Sequence, residues 1–277
     1  MKVLILSVPT GGGHLQTAKA LRGILCQQEN TECEILDILE NASEKSAQLL
    51  SDGYLFASQH IKKGYRLVYN KMDKRTKKSF TATSKMLYKL CGKRLLEYIN
   101  EFSPDVIVST HVFATLVLNI LAKKHSLDTK IISVVTDFTV HPMWEQTTSD
   151  YYITASEELT PVVLKKLGSV ENVLPLGIPI MEEFSKKAEK QDAKSELSLP
   201  EKFTVLIMMG SMGYTNAAIE LIKKLDESDE DVVILAVCGK NKKLKKKIDL
   251  LKTRKPLVVY GFCDNVSLLM DACDCIV

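Results

Sequence analysis

The sequence predicts an α/β protein of the doubly wound kind, arranged as two domains. Three features carry that expectation. Short aliphatic runs alternate with amphipathic stretches along the 277-residue chain. The runs are continuously apolar, as strands covered on both faces are, and do not alternate with polar residues. The alternation also stops at a polar, charged stretch and then starts again.

In chain order, Val3–Val8 reads as a buried strand. Three glycines and a histidine follow, and then a helical stripe of Leu15, Ala18, Leu21, Ile24 and Leu25. Glu34–Ile38 reads as a second strand. "DVIVST", "KIISVVT" and "DYYIT" supply three more, with helices over Phe113–Lys124 and Glu157–Lys166. "VLPLGIPI" closes this first unit with Pro and Gly punctuation. "MEEFSKKAEKQDAKSELSLPEK" reads as a connecting helix and linker. The second run comprises the strand "FTVLIMMG", the helix "NAAIELIKKL", the strand "DVVILAVCG", the basic helix "KNKKLKKKIDLLK", the strand "PLVVYGF", the short helix "NVSLLMDA" and the strand "CDCIV". The expected domains are therefore 1–179 and 200–277, with a linker at 180–199. A mid-sheet parallel strand needs helices on both faces. The last strand has none after it, so the second domain is expected to be partial, a truncated chain or half of a split gene.

Composition narrows the functional classes. At 45% hydrophobic and 26% charged residues, the chain has the make-up of a soluble globular protein. Its seven cysteines include no C-x-x-C pair and read as reduced cytosolic thiols, neither a disulfide framework nor a zinc site. No run reaches the roughly 18 apolar residues of a spanning helix. No zinc ligands or base-stacking aromatic motif support nucleic-acid binding, and the basic helix reads as an exposed amphipathic one. The charge is uneven. Ile61–Arg94 holds twelve Lys and Arg against the single acid Asp73. Lys62, Lys63, Arg66, Lys74 and Arg75 there are interleaved with apolar and aromatic anchors such as Tyr65. That pattern suits an anionic membrane surface, where each cation contributes about 1 kcal/mol. The competing reading is a charged helical pair with an ordinary buried face.

The loop of Gly11, Gly12, Gly13 and His14 lies between the first strand and its helix, where backbone N–H groups and the helix dipole favour negative charge. It is neither a G-x-x-x-x-G-K-[ST] loop nor a G-x-G-x-x-G fingerprint. A histidine at a helix start tends to be neutral, and a neutral imidazole can act as a general base. The alternative is a tight turn with a surface histidine. His111 follows a strand at its C-terminal end, where open α/β sheets bind ligands, and reads either as acceptor-lining or as structural. Asp137, His141 and Trp144 share the next such loop. Asp137 suits assisting a histidine or capping a helix, and Trp144 suits stacking on a sugar or acyl chains. Gly210, Ser211 and Gly213 form a second candidate phosphate cradle. Asp229-Glu230-Asp231 has the D-x-D spacing of metal-using transferases but sits in a polar turn and reads as solvated surface, so no metal site is expected.

"TGGGHLQTAKAL", "PDVIVSTHVFA", "VVTDFTVHPMW", "YYITASEE", "LGIPI" and "GFCDNVSLLMDACDCIV" together resemble the diacylglycerol glycosyltransferases, in order and over nearly the whole chain. These comprise bacterial processive glucosyltransferases and plant monogalactosyldiacylglycerol synthases. The resemblance implies a GT-B fold of two Rossmann-like domains, an N-terminal one for the lipid acceptor and a C-terminal one for the UDP-sugar. It implies inverting transfer of a hexose from a UDP-hexose to diacylglycerol, without cofactor or metal, by a cytoplasmic protein peripheral at the inner face of the cell membrane. His14 would then take the acceptor proton, and Phe262 and Asn265 would line the uracil pocket. The family's Thr-Lys-Pro-Gly-Gly loop and ribose-binding acid follow the strand equivalent to "CDCIV". This chain alone is therefore expected to bind UDP-sugar weakly and to turn over little or nothing. Two alternatives stand beside this: a polyprenyl-lipid N-acetylglucosaminyltransferase, and an inactive truncated chain that binds lipid or a partner.

Overall fold

The computed structural model describes residues 1–8, 12–39, 84–137, 140, 142–167, 172–208, 210 and 217–277. The chain divides into two compact units, Met1–Met181 and Glu182–Val277.

The first unit is a six-stranded parallel sheet with spatial order β2-β1-β3-β4-β5-β6. The strands are β1 (Lys2–Ser7), β2 (Glu32–Asp37), β3 (Val106–Ser109), β4 (Lys130–Val134), β5 (Tyr151–Ile153) and β6 (Val173–Leu174). Among the described residues its helices are α1 (Gly13–Leu25), α2 (Lys93–Phe102), α3 (Val112–His125) and α4 (Thr160–Leu167), with a π-helical turn over Tyr88–Gly92 leading into α2. The continuous apolar run of β1 is explained by period-two packing on both faces. Val3 and Ile5 join Ala18 of α1, Val108 and Val134 in one core. Leu4 and Leu6 point the other way, into a core with Leu95, Ile99, Leu116 and Trp144. Helix α3 is apolar almost all round because it is buried almost all round, from Val112 through Leu118 and again at Leu121. The predicted helix over Glu157–Lys166 is a 3₁₀ turn at Glu157–Leu159 followed by α4.

The second unit is a four-stranded parallel sheet ordered β10-β7-β8-β9. Its strands are β7 (Phe203–Met208), β8 (Val232–Val237), β9 (Leu257–Tyr260) and β10 (Cys275–Ile276). Its helices are α5 (Lys190–Glu196), α6 (Ala217–Glu227), α7 (Lys242–Asp249) and α8 (Val266–Asp271). Val205, Ile207, Ile222, Ile234 and Leu244 fill one face. Leu206, Val233, Leu235, Leu269 and Ala272 fill the other.

The stretch 180–199, read as a connecting helix and linker, does hold a helix. Helix α5 lies within it and packs Ala193, wholly buried, into the second core. Ion pairs fix it there. Asp274, just before β10, accepts from Lys190 Nζ at 2.6 Å and Lys194 Nζ at 3.3 Å, and from the Thr204 N–H at 2.9 Å. Lys194 is 6% exposed and also donates to the Lys202 carbonyl at 2.6 Å. Burial opposes ionisation of Asp274, yet these donors outweigh it and hold its pKa at about 2. The carboxylate thus clips α5 and the entry of β10 to β7.

Candidate active site

In the first sheet the chain leaves β1 for β2 on one side and returns to β3 on the other. The C-terminal ends of β1 and β3 are therefore a topological switch point, where adjacent loops diverge and open a crevice. The loops after β1, β3 and β4 contribute His14, Thr110–His111 and Thr136–Asp137.

Helix α1 starts here without a side-chain cap. Its N-cap is Gly12, and no acid occupies its first turn. The first intrahelical bond is Gln16 N–H to the Gly12 carbonyl at 3.0 Å, so the N–H groups ahead of it have no partner within the helix. A Cβ on Gly13 would meet no atom within 4 Å among the described residues. Packing within the protein does not demand glycine at that point, and its missing side chain leaves approach to the helix start clear.

His14 is partly buried one residue into α1. Its Nδ1 lies 2.7 Å from the Thr110 carbonyl oxygen and 2.9 Å from Thr136 Oγ1. A carbonyl only accepts, so Nδ1 carries the proton and, in the neutral ring, Nε2 carries the lone pair. Burial lowers the pKa of His14; the Thr110 hydrogen bond and the Asp137 charge partly offset it. The imidazole is thus kept neutral with its basic nitrogen defined.

His111 is 2% exposed and caps α3, its Nδ1 accepting from the Phe113 N–H at 3.1 Å. That fixes the opposite tautomer, with the proton of the neutral ring on Nε2. Its ring meets that of His14 edge-on, with centroids 4.3 Å apart at 66°. The loop is held from below by buried hydroxyls. Ser109 donates to the His111 carbonyl at 2.9 Å and Thr115 donates to Ser109 at 2.9 Å. Thr115 has no second proton, so Ser133 donates to it at 2.9 Å, and Ser149 in turn donates to Ser133 at 2.7 Å. The result is one directed chain ending under the site.

Asp137 is exposed and close enough to His14 to act on it electrostatically. Trp144 requires a correction: it is 2% exposed, edge-on to Tyr152 at 6.2 Å in the first core, and offers no face to a sugar or acyl chain. In the second unit Gly210 follows β7 with φ +68°, a conformation that favours glycine, beside that sheet's own switch point between β7 and β10. Phe262 is 57% exposed after β9, with Lys240 Nζ 5.6 Å from its ring centre. Asn265 is exposed at the start of α8. Asp229, Glu230 and Asp231 are exposed, Asp231 pairing with Lys202 at 2.9 Å. Among the described residues no group of three or more His, Cys, Asp or Glu could hold a metal ion. Gly11, His141, Ser211 and Gly213 lie outside the described residues, as do Lys62, Lys63, Tyr65, Arg66, Lys74 and Arg75.

Sequence reasoning missed Thr110 and Thr136. The available signal was the strand endings themselves, since "VIVST" and "IISVVT" both finish in threonine at the C-terminal edge of adjacent parallel strands.

The family model for monogalactosyldiacylglycerol (MGDG) synthase matches residues 14–180, which takes in all of the His14 arrangement. The chain belongs to that family. It is 29% identical to a processive diacylglycerol β-glucosyltransferase of Bacillus licheniformis, aligning over 99% of this chain and 71% of that protein. It is 28% identical to the Bacillus subtilis protein of the same description, over 100% of this chain and 72% of the relative. Among solved structures it resembles Anabaena Alr3699/HepE in complex with UDP-glucose (TM-score 0.59, 13% identity, covering all of this chain and 73% of that one). It also resembles Acinetobacter baumannii MurG (TM-score 0.53, 16% identity, 98% and 70%). The α/β fold with its two parallel sheets is that of the GT-B glycosyltransferases.

Proposed function

We propose that this chain is an inverting glycosyltransferase that moves a hexose from a UDP-sugar to the hydroxyl of diacylglycerol. The observation that carries the reading is His14, with Nδ1–H committed to the Thr110 carbonyl and Nε2 left as the basic atom at the switch point. Membership of the MGDG synthase family and the names of the Bacillus relatives support the substrate pair.

In this reading the acceptor hydroxyl gives its proton to His14 Nε2 as its oxygen attacks the anomeric carbon. The bond from that carbon to the diphosphate oxygen breaks, and UDP departs with the electron pair. The imidazolium is steadied by the Thr110 carbonyl and by Asp137. The N–H groups at the start of α1 that have no partner within the helix would face the developing negative charge, a role that preorganised backbone donors perform well. The reading assigns no part to a metal. Phe262 and Gly210 stand on the nucleotide side.

Diacylglycerol stays in the bilayer, so the protein is taken to work at a membrane surface from outside the hydrocarbon. No described helix is long and apolar enough to cross a membrane. Co-sedimentation with vesicles is expected to rise with anionic lipid and fall with salt. Binding that ignores both would remove the charged-surface part of the reading.

The function is tested by offering labelled UDP-glucose, UDP-galactose and UDP-N-acetylglucosamine to stoichiometric protein with dioleoylglycerol vesicles or a polyprenyl diphosphate lipid. The expected product is a β-linked hexosyl-diacylglycerol, its anomer read from proton coupling. Label passing only from UDP-N-acetylglucosamine to the polyprenyl lipid would move the chain to peptidoglycan chemistry. Label reaching no lipid would leave the non-catalytic reading.

A further inference from the structure

We propose that Thr136 is a positioning residue for His14, its hydroxyl serving as the second acceptor of the Nδ1 proton. The proposal rests on the reading of His14 as the base and adds the residue that sets its aim and proton affinity.

The geometry is a fork. Nδ1 lies 2.7 Å from a backbone oxygen on the β3 side and 2.9 Å from Thr136 Oγ1 just past the end of β4. The carbonyl places the proton on Nδ1, so the Thr136 hydroxyl must accept there and turn its own proton away. One acceptor alone lets the ring pivot about the line joining Nδ1 to it. Two acceptors from two strands fix that pivot, and with it the direction of Nε2. The His111 ring, edge-on at 66°, closes a further side.

The same fork adjusts basicity. Burial disfavours the imidazolium, whereas each oxygen accepting from Nδ1–H favours it, because hydrogen bonds to a charged donor are stronger than to a neutral one. Among the described residues the other titratable groups facing His14 are Asp137, whose charge favours the imidazolium, and His111. With its Nδ1 accepting from Phe113 N–H, a neutral His111 adds no charge. Thr136 is therefore the adjustable member: it is a side chain, it lies next to Asp137, and its removal leaves burial less opposed.

The test compares the wild-type chain with Thr136→Val, which keeps the shape and loses the acceptor, and Thr136→Ser, which keeps the acceptor. Long-range ¹⁵N–¹H NMR of the imidazoles reads the tautomer and titration midpoint of His14 directly, independently of turnover. The wild type is expected to show the proton on Nδ1. In Thr136→Val the midpoint should fall and single-turnover transfer should slow about tenfold, with UDP-hexose affinity nearly unchanged. Thr136→Ser should restore both. A packing role alone would lower thermal stability without moving the midpoint. An unchanged midpoint in the valine variant, or a wild-type proton on Nε2, overturns the proposal. Should Thr136→Val fail to fold, the wild-type tautomer and the Thr136→Ser midpoint still decide it. If the NMR expectations hold while His14→Ala transfers at the wild-type rate, the base reading fails and the fork survives as a purely structural clamp.

Discussion

His14 meets two demands that pull its proton affinity in opposite directions. As the proposed base it must be neutral to accept a proton, which burial favours, and it must tolerate the charge once it has accepted, which the Thr110 carbonyl and Asp137 favour. The sign of the pH dependence follows. In the proposed reaction the neutral ring is the active form and its pKa is lowered, so the transfer rate should be level at pH 7 and fall only below the ordinary imidazole value of about 6.5. A rate limb centred at or above that value would contradict the arrangement. Folding shares the sign: below about pH 6.5 the unfolded chain takes the proton first, and stability declines as pH falls. Ser7, at the end of β1, is 1% exposed with a hydroxyl that finds no partner among the described residues. Ser7→Ala should leave the denaturation midpoint unchanged or raise stability by up to about 1 kcal/mol, and a clear loss of stability would expose an unrecognised partner. At this scale the sequence was readable where local pattern dictates position, as for the histidine that a glycine turn sets at the start of a helix. It was not readable where one residue type serves two environments. Trp144 suits a sugar platform or a core equally well by composition, and only its contact with Tyr152 decides for the core. Thr136 looked like one more strand-ending threonine until the topology set β4 beside β3.

The elements that build the site are tied together by hydroxyl groups as well as by apolar contact. The chain from Ser149 through Ser133, Thr115 and Ser109 joins the entry to β5, β4, α3 and β3, and ends on the carbonyl of His111. Thr115→Val keeps the volume but removes the hydroxyl that donates to Ser109 and accepts from Ser133, and should cost about 1–3 kcal/mol in chemical denaturation. A neutral result would mean the hydroxyls re-pair without it. In the second unit Asp274 plays the joining part. Its pKa of about 2 in the fold means that the stability it contributes is present above the ordinary carboxylate range and is lost as pH falls toward 2. Asp274→Asn should therefore cost about 1–2 kcal/mol at neutral pH, with partial exposure keeping the figure modest, and nothing near pH 2. Long aliphatic runs made β1, β3, β4, β7 and β8 legible, because burial on both faces leaves no polar residue to blur them. Strand β6 was missed because its ladder is only two residues long, Val173 and Leu174, inside a Pro- and Gly-rich segment. Helix α5 was legible as a helix but not as part of the second core, because few apolar residues mark its buried face; its place depends on charges pairing with Asp274, 80 residues away from Lys194.

The molecule as a whole is two doubly wound units, each with apolar cores on both faces of its own parallel sheet. Separate cores allow separate melting, so Asp274→Asn should shift one thermal transition and Thr115→Val the other. A single transition moved equally by both would show that the units unfold as one. Each sheet reverses its strand order beside a glycine-bearing turn, β1 to β3 in the first unit and β7 to β10 in the second. The most direct measurement is single-turnover transfer of labelled glucose from UDP-glucose to diacylglycerol by the wild-type chain and by His14→Ala. The wild type should place label in the lipid, and the alanine variant should do so about 10²–10⁴-fold more slowly while remaining folded. Equal rates in the two proteins would contradict the claim that this imidazole takes the acceptor's proton.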